Sequence, residues 1–197
     1  GTLSLEIFND QFRAGSARGV AVDGHRSLLF LLDQLATATP GFVPAFAPLP
    51  KRSKALGAAF VEFALDEAST PKFERILAAL GFRRAGRHKS KAVERWQQGE
   101  INVIVNTEKE GFAHSFNITH GSAVCALGLM VDDAAATFER AKRLLDVPFR
   151  QPVKPGELDI PAVRGVGGSL IYFLDPTSEL RRVWEIEFDE TTADDSS

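Results

Sequence analysis

The sequence predicts an α+β protein in which two βαβββ modules form one curved mixed sheet. A strand-helix pair occurs twice in the chain. Phe73-Glu74-Arg75 on the first helix recurs 65 residues later as Phe138-Glu139-Arg140, and the two preceding strands, which end at Asp66 and Asp132, lie 66 residues apart. Extended segments follow each copy. A repeated unit of this size cannot bury its apolar face alone, so we expect the two modules to share one sheet.

The first module begins with a strand at 60–66 and continues into a helix. Thr70 is the candidate N-cap of this helix and Pro71 its first residue, while Gly81 marks its end. Two strands joined by a turn then follow, at residues 92–96 and 101–105. The module is therefore predicted as strand-helix-strand-strand, with a third closing strand as an option.

The second module repeats this order. Its strand at 126–132 leads into a helix with an apolar face formed by Phe138, Ala141, Leu144 and Leu145. Two further strands are predicted on either side of the turn signal Asp175-Pro176-Thr177-Ser178, at residues 170–174 and 182–188.

The residues before the repeat belong to neither module. An alternating run at 3–8 predicts a strand, and leucines at helical spacing predict a helix over 23–35. This pair either docks on the main domain or ends a larger domain. Since the chain lacks a starting Met, we expect it to be part of a longer protein. The predicted division is a barrel-derived strand-helix segment at 1–36, a Pro-rich linker at 37–55, the two-module domain at 56–190 with modules at about 56–111 and 120–190, and a disordered tail at 191–197.

Composition excludes several classes of protein. The 197 residues carry a net charge of -3, which argues against nucleic acid as a partner. No apolar run approaches the roughly 20 residues that span a bilayer, and the opening residues lack a signal-peptide pattern. Because Cys125 is the single cysteine, a disulfide framework and a cysteine-based zinc site are excluded. We therefore expect a cytoplasmic protein that contacts neither membrane nor nucleic acid.

Four runs after residue 56 carry a recognisable pattern: His88-Lys89-Ser90-Lys91, Gln98-Gly99-Glu100-Ile101-Asn102-Val103-Ile104-Val105-Asn106, His120-Gly121-Ser122-Ala123-Val124-Cys125 and Ile160-Pro161-Ala162-Val163-Arg164-Gly165-Val166-Gly167-Gly168-Ser169. Together with the repeat, these runs resemble the vicinal-oxygen-chelate, or glyoxalase, superfamily. The resemblance spans about 56–188 and is closest to the N-terminal half of bacterial 4-hydroxyphenylpyruvate dioxygenase. This resemblance implies the glyoxalase/bleomycin-resistance/dihydroxybiphenyl dioxygenase fold and a place in the catabolism of aromatic compounds.

The opening run resembles a different family. Leu3-Ser4-Leu5-Glu6-Ile7-Phe8-Asn9-Asp10-Gln11-Phe12-Arg13 is similar to the last strand of a sugar-phosphate isomerase-type TIM barrel. In one bacterial arrangement such a barrel, acting as 3-dehydroshikimate dehydratase, precedes a region similar to hydroxyphenylpyruvate dioxygenase. A barrel end, a Pro-rich linker and a dioxygenase-like repeat match that fusion.

The resemblance implies a metal held by two His and one carboxylate, which leaves open positions for substrate and O2. Each family His stands five residues before the pair that ends the first strand of a module, and these positions hold Phe60 and Ala126. The family carboxylate stands on the last strand, where Glu185 is the one ligand type retained. We therefore expect no cofactor in this chain. Iron or another divalent metal is expected only if the family activity is retained, with Glu62 as a second candidate ligand.

Other candidate residues have structural readings that we favour over functional ones. Glu62 on a core-facing strand is either an acid with a raised pKa or the partner of an Arg or a backbone donor, and we favour the pairing. We expect His88 to end a strand in solvent, and His114 and His120 to flank a loop in turn or capping roles. Cys125 is expected to be buried, and Gly165-Val166-Gly167-Gly168-Ser169 to form a turn because a strand, not a helix, follows it.

Three functions remain open. The first is a 4-hydroxyphenylpyruvate-dioxygenase-like domain without its own metal, acting as a structural and dimerisation half of a larger protein. The second is an active non-heme-iron dioxygenase of aromatic 2-oxo acids, using Glu185, Glu62 and a His from a partner chain. The third is the C-terminal part of a bifunctional 3-dehydroshikimate dehydratase. We also expect a homodimer, and the family allows a small aromatic or oxo-acid ligand.

Overall fold

The computed structural model describes residues 4–6, 15–43 and 49–191. Its helices and strands follow one another in the order α1 (Ala17–Ala38), β1 (Ala55–Ala64), α2 (Thr70–Ala79), β2 (Arg83–His88), β3 (Val93–Gln98), β4 (Ile101–Asn106), α3 (Gly111–His120), β5 (Ala123–Val131), α4 (Ala134–Arg143), β6 (Pro148–Phe149), β7 (Ala162–Arg164), β8 (Leu170–Leu174), α5 (Val183–Glu187) and β9 (Phe188–Glu190). None of the described helices combines the length and apolar composition needed to cross a bilayer.

The nine strands form one mixed sheet in the order β6-β7-β8-β5-β1-β4-β3-β2-β9. Within each half the first strand lies parallel to the last, β1 to β4 and β5 to β8, and the remaining neighbours are antiparallel. The antiparallel pair β1–β5 joins the halves. The predicted βαβββ repeat is therefore confirmed; β2 is the third strand of the first module, and β6 and β7 are two strands of the second module that the sequence did not predict.

The outer face of the sheet carries the repeated helices. Phe73 of α2 lies 4.6 Å from Phe63 of β1, measured between ring centroids, and α2 covers a buried cluster built on Leu77, Val103 and Val105. Phe138 of α4 packs in the same way with residues of β5, β7 and β8. Side chains alternate between the faces of a strand, so Phe60, Glu62 and Ala64 of β1 point to the inner face.

The first helix of the repeat shows how its ends are set. α2 begins at Thr70 with Ser69 in the capping position, not Thr70 as predicted, and the Asp66 side chain accepts a hydrogen bond from the Ser69 N–H at 2.7 Å. Its end matches the prediction, since Gly81 follows Leu80 at a φ of +90°. A left-handed φ favours glycine, which has no Cβ.

The predictions for residues 182–188 and for the segment around His114 are wrong. Residues 182–188 do not form a strand: the chain turns through residues 179–182, continues into α5 and pairs only at β9, which lies at the far edge against β2. The segment around His114 is a helix, α3, and not a loop. Tertiary packing explains the second difference, because α3 rests its Phe112, Ala113 and Phe116 on β1 and β5.

The helix α1 contacts the second module. The Arg26 guanidinium lies 2.6 Å from the Asp146 carboxylate, and Arg140 of α4 lies 3.3 Å from Asp33. The predicted helix over 23–35 is thus confirmed and longer at both ends. The predicted strand at 3–8 and the tail fall largely outside the described residues, and the assignment of 1–36 and 37–55 to a barrel remnant and a linker stays a prediction.

Phe60 and Gly128 face each other across the central strand pair. A Cβ added at Gly128 would overlap ring carbons of Phe60, so we expect Gly128→Ala to lower the free energy of unfolding by about 1–3 kcal/mol. In a Phe60→Leu background the same change is expected to cost at least about 1 kcal/mol less, because the smaller side chain leaves room. Urea denaturation of the four proteins measures this coupling, and equal costs in both backgrounds would contradict the packing.

Candidate functional site

The inner face of the sheet encloses a cleft of about 870 Å³. It is bounded by α3, by the loop of residues 150–160 and by α5. Aromatic and titratable side chains line it together, among them Phe60, Glu62, His88, Asn106, Tyr172 and Trp184. A concave, largely apolar surface with a few convergent polar groups is the usual form of a ligand site.

Glu62 of β1 is held in this cleft by an amide. Its Oε1 accepts a hydrogen bond from Asn106 Nδ2 at 2.7 Å, and Asn106 Oδ1 accepts one from the Glu108 N–H at 3.0 Å, which defines the orientation of the amide. Burial raises the pKa of the Glu62 carboxyl, and the Asn106 hydrogen bond and the charge of Lys91 offset this only in part. Glu62 is therefore a buried acid with a raised pKa, and the favoured pairing with an Arg or a backbone donor is wrong, because its hydrogen-bond donor is a side-chain amide.

His88 forms a buried pair with Glu187. Its side chain is 4% exposed, and Nδ1 accepts a hydrogen bond from the Ser90 N–H at 3.2 Å, which assigns the ring proton to Nε2. Nε2 lies 3.3 Å from Glu187 Oε2, at an angle that does not complete a hydrogen bond with any described residue. The expectation of a solvated strand end is wrong because β9 covers β2 and brings Phe188 against the ring.

A carboxylate fastens the loop of residues 150–160 across the cleft. Glu157 accepts hydrogen bonds from Ser90 Oγ at 2.6 Å and from Lys91 Nζ at 3.0 Å. Burial alone would raise the pKa of the Glu157 carboxyl, but these donors and the Lys154 N–H lower it to about 2. Glu157 therefore stays ionised across the neutral range, and the loop keeps its attachment to the segment after β2.

The positions at which the family resemblance implies His ligands are apolar and packed. Phe60 is 7% exposed and stacks near Tyr172 and Trp184, with centroid distances of 5.9 Å to each. Ala126 is 1% exposed in the cluster beneath α3. Neither side chain has an atom that can bind a metal.

Glu185 lies away from the cleft. It belongs to α5 and not to a last strand, its side chain is 67% exposed, and it accepts a hydrogen bond from Arg182 Nε at 2.8 Å. Glu62 and Glu185 are thus not brought together. In residues 4–6, 15–43 and 49–191, no three His, Cys, Asp or Glu side chains are grouped as a metal site requires. A two-His-one-carboxylate iron centre does not fit these residues.

The remaining candidates are two histidines, a cysteine and the glycine run. His120 ends α3 with its ring 4.3 Å from that of Phe116, and it reaches the cleft rim, whereas His114 does not line the cleft. Cys125 is fully buried, and burial raises the pKa of its thiol. The glycine run forms a turn, as predicted, with Gly167 at a φ of +66°, and β8 follows it.

The sequence did not identify several of the residues that line the cleft, among them Tyr172, Glu187 and Arg164. Tyr172 and Arg164 stand on short strands whose register places them on the inner face. Glu187 was passed over because residues 182–188 were predicted as a strand, which gives the neighbouring Glu185 the ligand position. Val183, Glu185 and Glu187 share one face of the predicted strand, so the sequence does not indicate which of the two acids enters the cleft.

The paired modules, the curved sheet and the interior cleft define a glyoxalase-type domain. Residues 53–189 match the family model described as hydroxyphenylpyruvate dioxygenase, HPPD, N-terminal. The chain therefore belongs to the family of N-terminal domains of hydroxyphenylpyruvate dioxygenase.

Relatives of two kinds share this domain. Aligned over its whole length, the chain is 43% identical to a 3-dehydroshikimate dehydratase of Pseudomonas aeruginosa, of which it covers 32%. Aligned over 68% of its length, it is 34% identical to a 4-hydroxyphenylpyruvate dioxygenase of Pseudomonas sp. strain P.J. 874, of which it covers 37%. It spans about a third of each relative.

A solved structure matches the fold of most of this chain. It is described as a xylose isomerase-like TIM barrel/4-hydroxyphenylpyruvate dioxygenase fusion protein, and it matches 95% of this chain with a TM-score of 0.81 and 39% identity, over 30% of its own length. The resemblances to both a barrel fusion and a dioxygenase half are thus confirmed.

We expect Glu62→Gln to change the pH dependence of stability. The pKa of Glu62 is raised in the folded state above its ordinary 4.5, so the wild type has its full stability below that value and loses it as the pH rises through the folded pKa. The amide that replaces the carboxyl in the variant cannot ionise. The variant should therefore have a higher melting temperature than the wild type near pH 8. The expected increase is roughly 2–4 °C for each kcal/mol by which ionisation of Glu62 destabilises the wild type.

Lys91, His88, Cys125 and Tyr172 surround Glu62 and are common to both proteins, so the difference between the two proteins reports on the Glu62 carboxyl. Melting curves by circular dichroism between about pH 4.5 and pH 8 test this prediction. The difference in melting temperature between the variant and the wild type should become smaller as the pH falls. A difference in melting temperature that is independent of pH would show that Glu62 is not buried as described.

Proposed function

We propose that this domain performs no oxygenation and acts as a structural and dimerisation half of a larger protein of aromatic catabolism. The observation that carries this proposal is the replacement of both His positions by packed apolar side chains, Phe60 and Ala126. An iron centre that activates O2 needs three protein ligands and open coordination positions. We infer that the chain holds neither iron nor another divalent metal of its own.

The dioxygenase alternative requires Glu62 and Glu185 to act together. Glu62 faces the cleft, while Glu185 stands exposed on α5 with Arg182 as its partner. A His from a partner chain cannot complete a site whose two carboxylates point in different directions. The geometry therefore favours the domain without metal chemistry.

The longer protein is better described by the dehydratase relatives. The two dehydratases align with 95–100% of this chain, including the residues before 53, whereas two of the dioxygenases align with 68% of it. We infer that the protein containing this chain dehydrates 3-dehydroshikimate through a separate barrel domain. That role in the metabolism of small aromatic compounds is our reason for proposing a cytoplasmic location.

Two assays test these proposals. The 197-residue chain is expected to contain no stoichiometric iron by elemental analysis, and to consume no O2 with 4-hydroxyphenylpyruvate after incubation with Fe²⁺ and ascorbate. The longer protein is expected to consume 3-dehydroshikimate, and Glu62→Ala and Glu185→Ala should leave that rate unchanged. Stoichiometric iron together with O2 uptake by the chain would overturn the first proposal; a longer protein inactive on 3-dehydroshikimate would overturn the second.

A homodimer is the assembly that we propose for this chain. Large apolar side chains are exposed on neighbouring segments, Ile118 at 71% on α3 and Val124 at 45% at the start of β5. Apolar patches of this kind are commonly covered in an interface. Light scattering should give twice the 21.5 kDa mass of one chain, and Ile118→Lys should shift the mass towards the monomer. A monomer at micromolar concentration would contradict the proposal.

A further inference from the structure

A carboxyl group and a guanidinium face each other across the inner surface of the sheet. The strand registers place Glu62 opposite Ala126, Ala126 opposite Leu170, and Leu170 opposite Arg164. Residues opposite one another on neighbouring strands share a face. Glu62 and Arg164 therefore stand at the two ends of one row, three strand spacings apart, which is roughly 14 Å between Cα atoms.

The space between these two groups is aromatic. Ala126 and Leu170, in the middle of the row, are each 1% exposed because Phe112, Phe149 and Tyr172 pack over them. Phe112 and Phe149 lie 5.4 Å apart between ring centroids. A ligand that bridges the row therefore lies against ring faces and edges, which favours a planar, unsaturated molecule.

Arg164 is a cation whose charge is not neutralised by the rest of the described chain. Its guanidinium lies 5.2 Å from the Phe112 ring centroid and 5.0 Å from that of Phe149, and Nη1 donates a hydrogen bond to the Gly168 carbonyl at 3.3 Å. None of the ion pairs between described residues includes it, whereas Arg84 and Arg182 each have a carboxylate partner. A guanidinium placed on aromatic rings keeps donors that suit a carboxylate.

At the other end of the row, polar groups retain hydrogen-bonding capacity. Asn106 occupies one oxygen of Glu62, and apart from it only the weak thiol donor of Cys125 is directed at this carboxyl. The Tyr172 hydroxyl makes no hydrogen bond with another described residue, although its ring is packed against Phe60. Lys91 and His88, the nearby basic groups, are already paired with Glu157 and Glu187.

We propose that this cleft binds a planar carboxylic acid that carries a hydroxyl or carbonyl group at the end opposite its carboxylate. The carboxylate pairs with Arg164, the ring lies against Phe112, Phe149 and Tyr172, and the far oxygen bonds to Glu62 and the Tyr172 hydroxyl. This goes beyond the proposed function and does not depend on it, because binding of this kind needs neither a metal nor the activity of the longer protein.

The size of the cleft is compatible with this ligand class. Its volume of about 870 Å³ lies within the range of small-molecule sites. The ring system of a simple hydroxy acid fills a part of it, next to the loop that Glu157 fastens. Arg150 and Lys154 also reach the cleft and are exposed, as Arg164 is, but Arg164 is the one of these three cations that lies against aromatic rings.

Isothermal titration of the 197-residue chain with 4-hydroxybenzoate tests the proposal. Two analogues separate the two ends of the row: 4-hydroxybenzyl alcohol lacks the carboxylate, and benzoate lacks the hydroxyl. We expect 4-hydroxybenzoate to bind about tenfold more tightly than either analogue, because each loses one set of hydrogen bonds. No detectable binding of 4-hydroxybenzoate at millimolar concentration, or equal binding of all three compounds, would overturn the proposal.

Variants then assign the two ends. Arg164→Gln should weaken the binding of 4-hydroxybenzoate and of benzoate about tenfold and leave the binding of 4-hydroxybenzyl alcohol unchanged. Loss of folding would weaken the binding of all three compounds. Glu62→Ala should reduce the affinity for 4-hydroxybenzoate to the affinity for benzoate. Arg150→Gln is the matched control, with the same charge change at the cleft rim, and should have little effect. If Arg150→Gln weakens binding and Arg164→Gln does not, the proposed position of the carboxylate is wrong.

Discussion

The antiparallel pairing of β1 with β5 is the constraint on which the rest of this structure depends. It joins the two modules through a register that runs from Ala55 opposite Val131 to Ala64 opposite Ala123. Because side chains alternate on a strand, this register decides which residues face the cleft: a slip by one position would turn Glu62 outward and put Phe63 inside. The same pairing sets Phe60 over Gly128, where the missing Cβ leaves space for the ring.

Glu62 and Glu157 show how hydrogen-bond donors decide the protonation state of a carboxyl that lines the cleft. Glu62 has a neutral amide as its main donor, and burial raises its pKa. Glu157 receives an ammonium, a hydroxyl and a backbone N–H, and its pKa falls to about 2 although burial acts in the opposite direction. Glu187 lies beside His88 and accepts the Leu158 N–H. With these groups paired, Arg164 is left as a cation facing the cleft without a carboxylate partner among the described residues.

The cleft and the metal site are separable features of this fold. In this chain the His positions hold Phe60 and Ala126, which pack into the core, yet the sheet still curves around an interior space lined by polar and aromatic groups. A domain of the hydroxyphenylpyruvate dioxygenase family can thus have a surface suited to binding small molecules although its described residues do not suit iron. This separation is why family membership and oxygenase activity are different statements about the chain.

The sequence by itself determined the strand-helix repeat, the strands β1, β3, β4, β5 and β8, and the apolar residues at the His positions, since these depend on local periodicity and spacing. It placed Glu185 on a strand and His88 in solvent, and both expectations failed for one reason. The segment after β8 turns into α5 and pairs as β9 with β2 at the opposite edge of the sheet, about 100 residues away in sequence. Only the tertiary structure decided which acid enters the cleft, because contacts between distant strands leave no local pattern in the sequence.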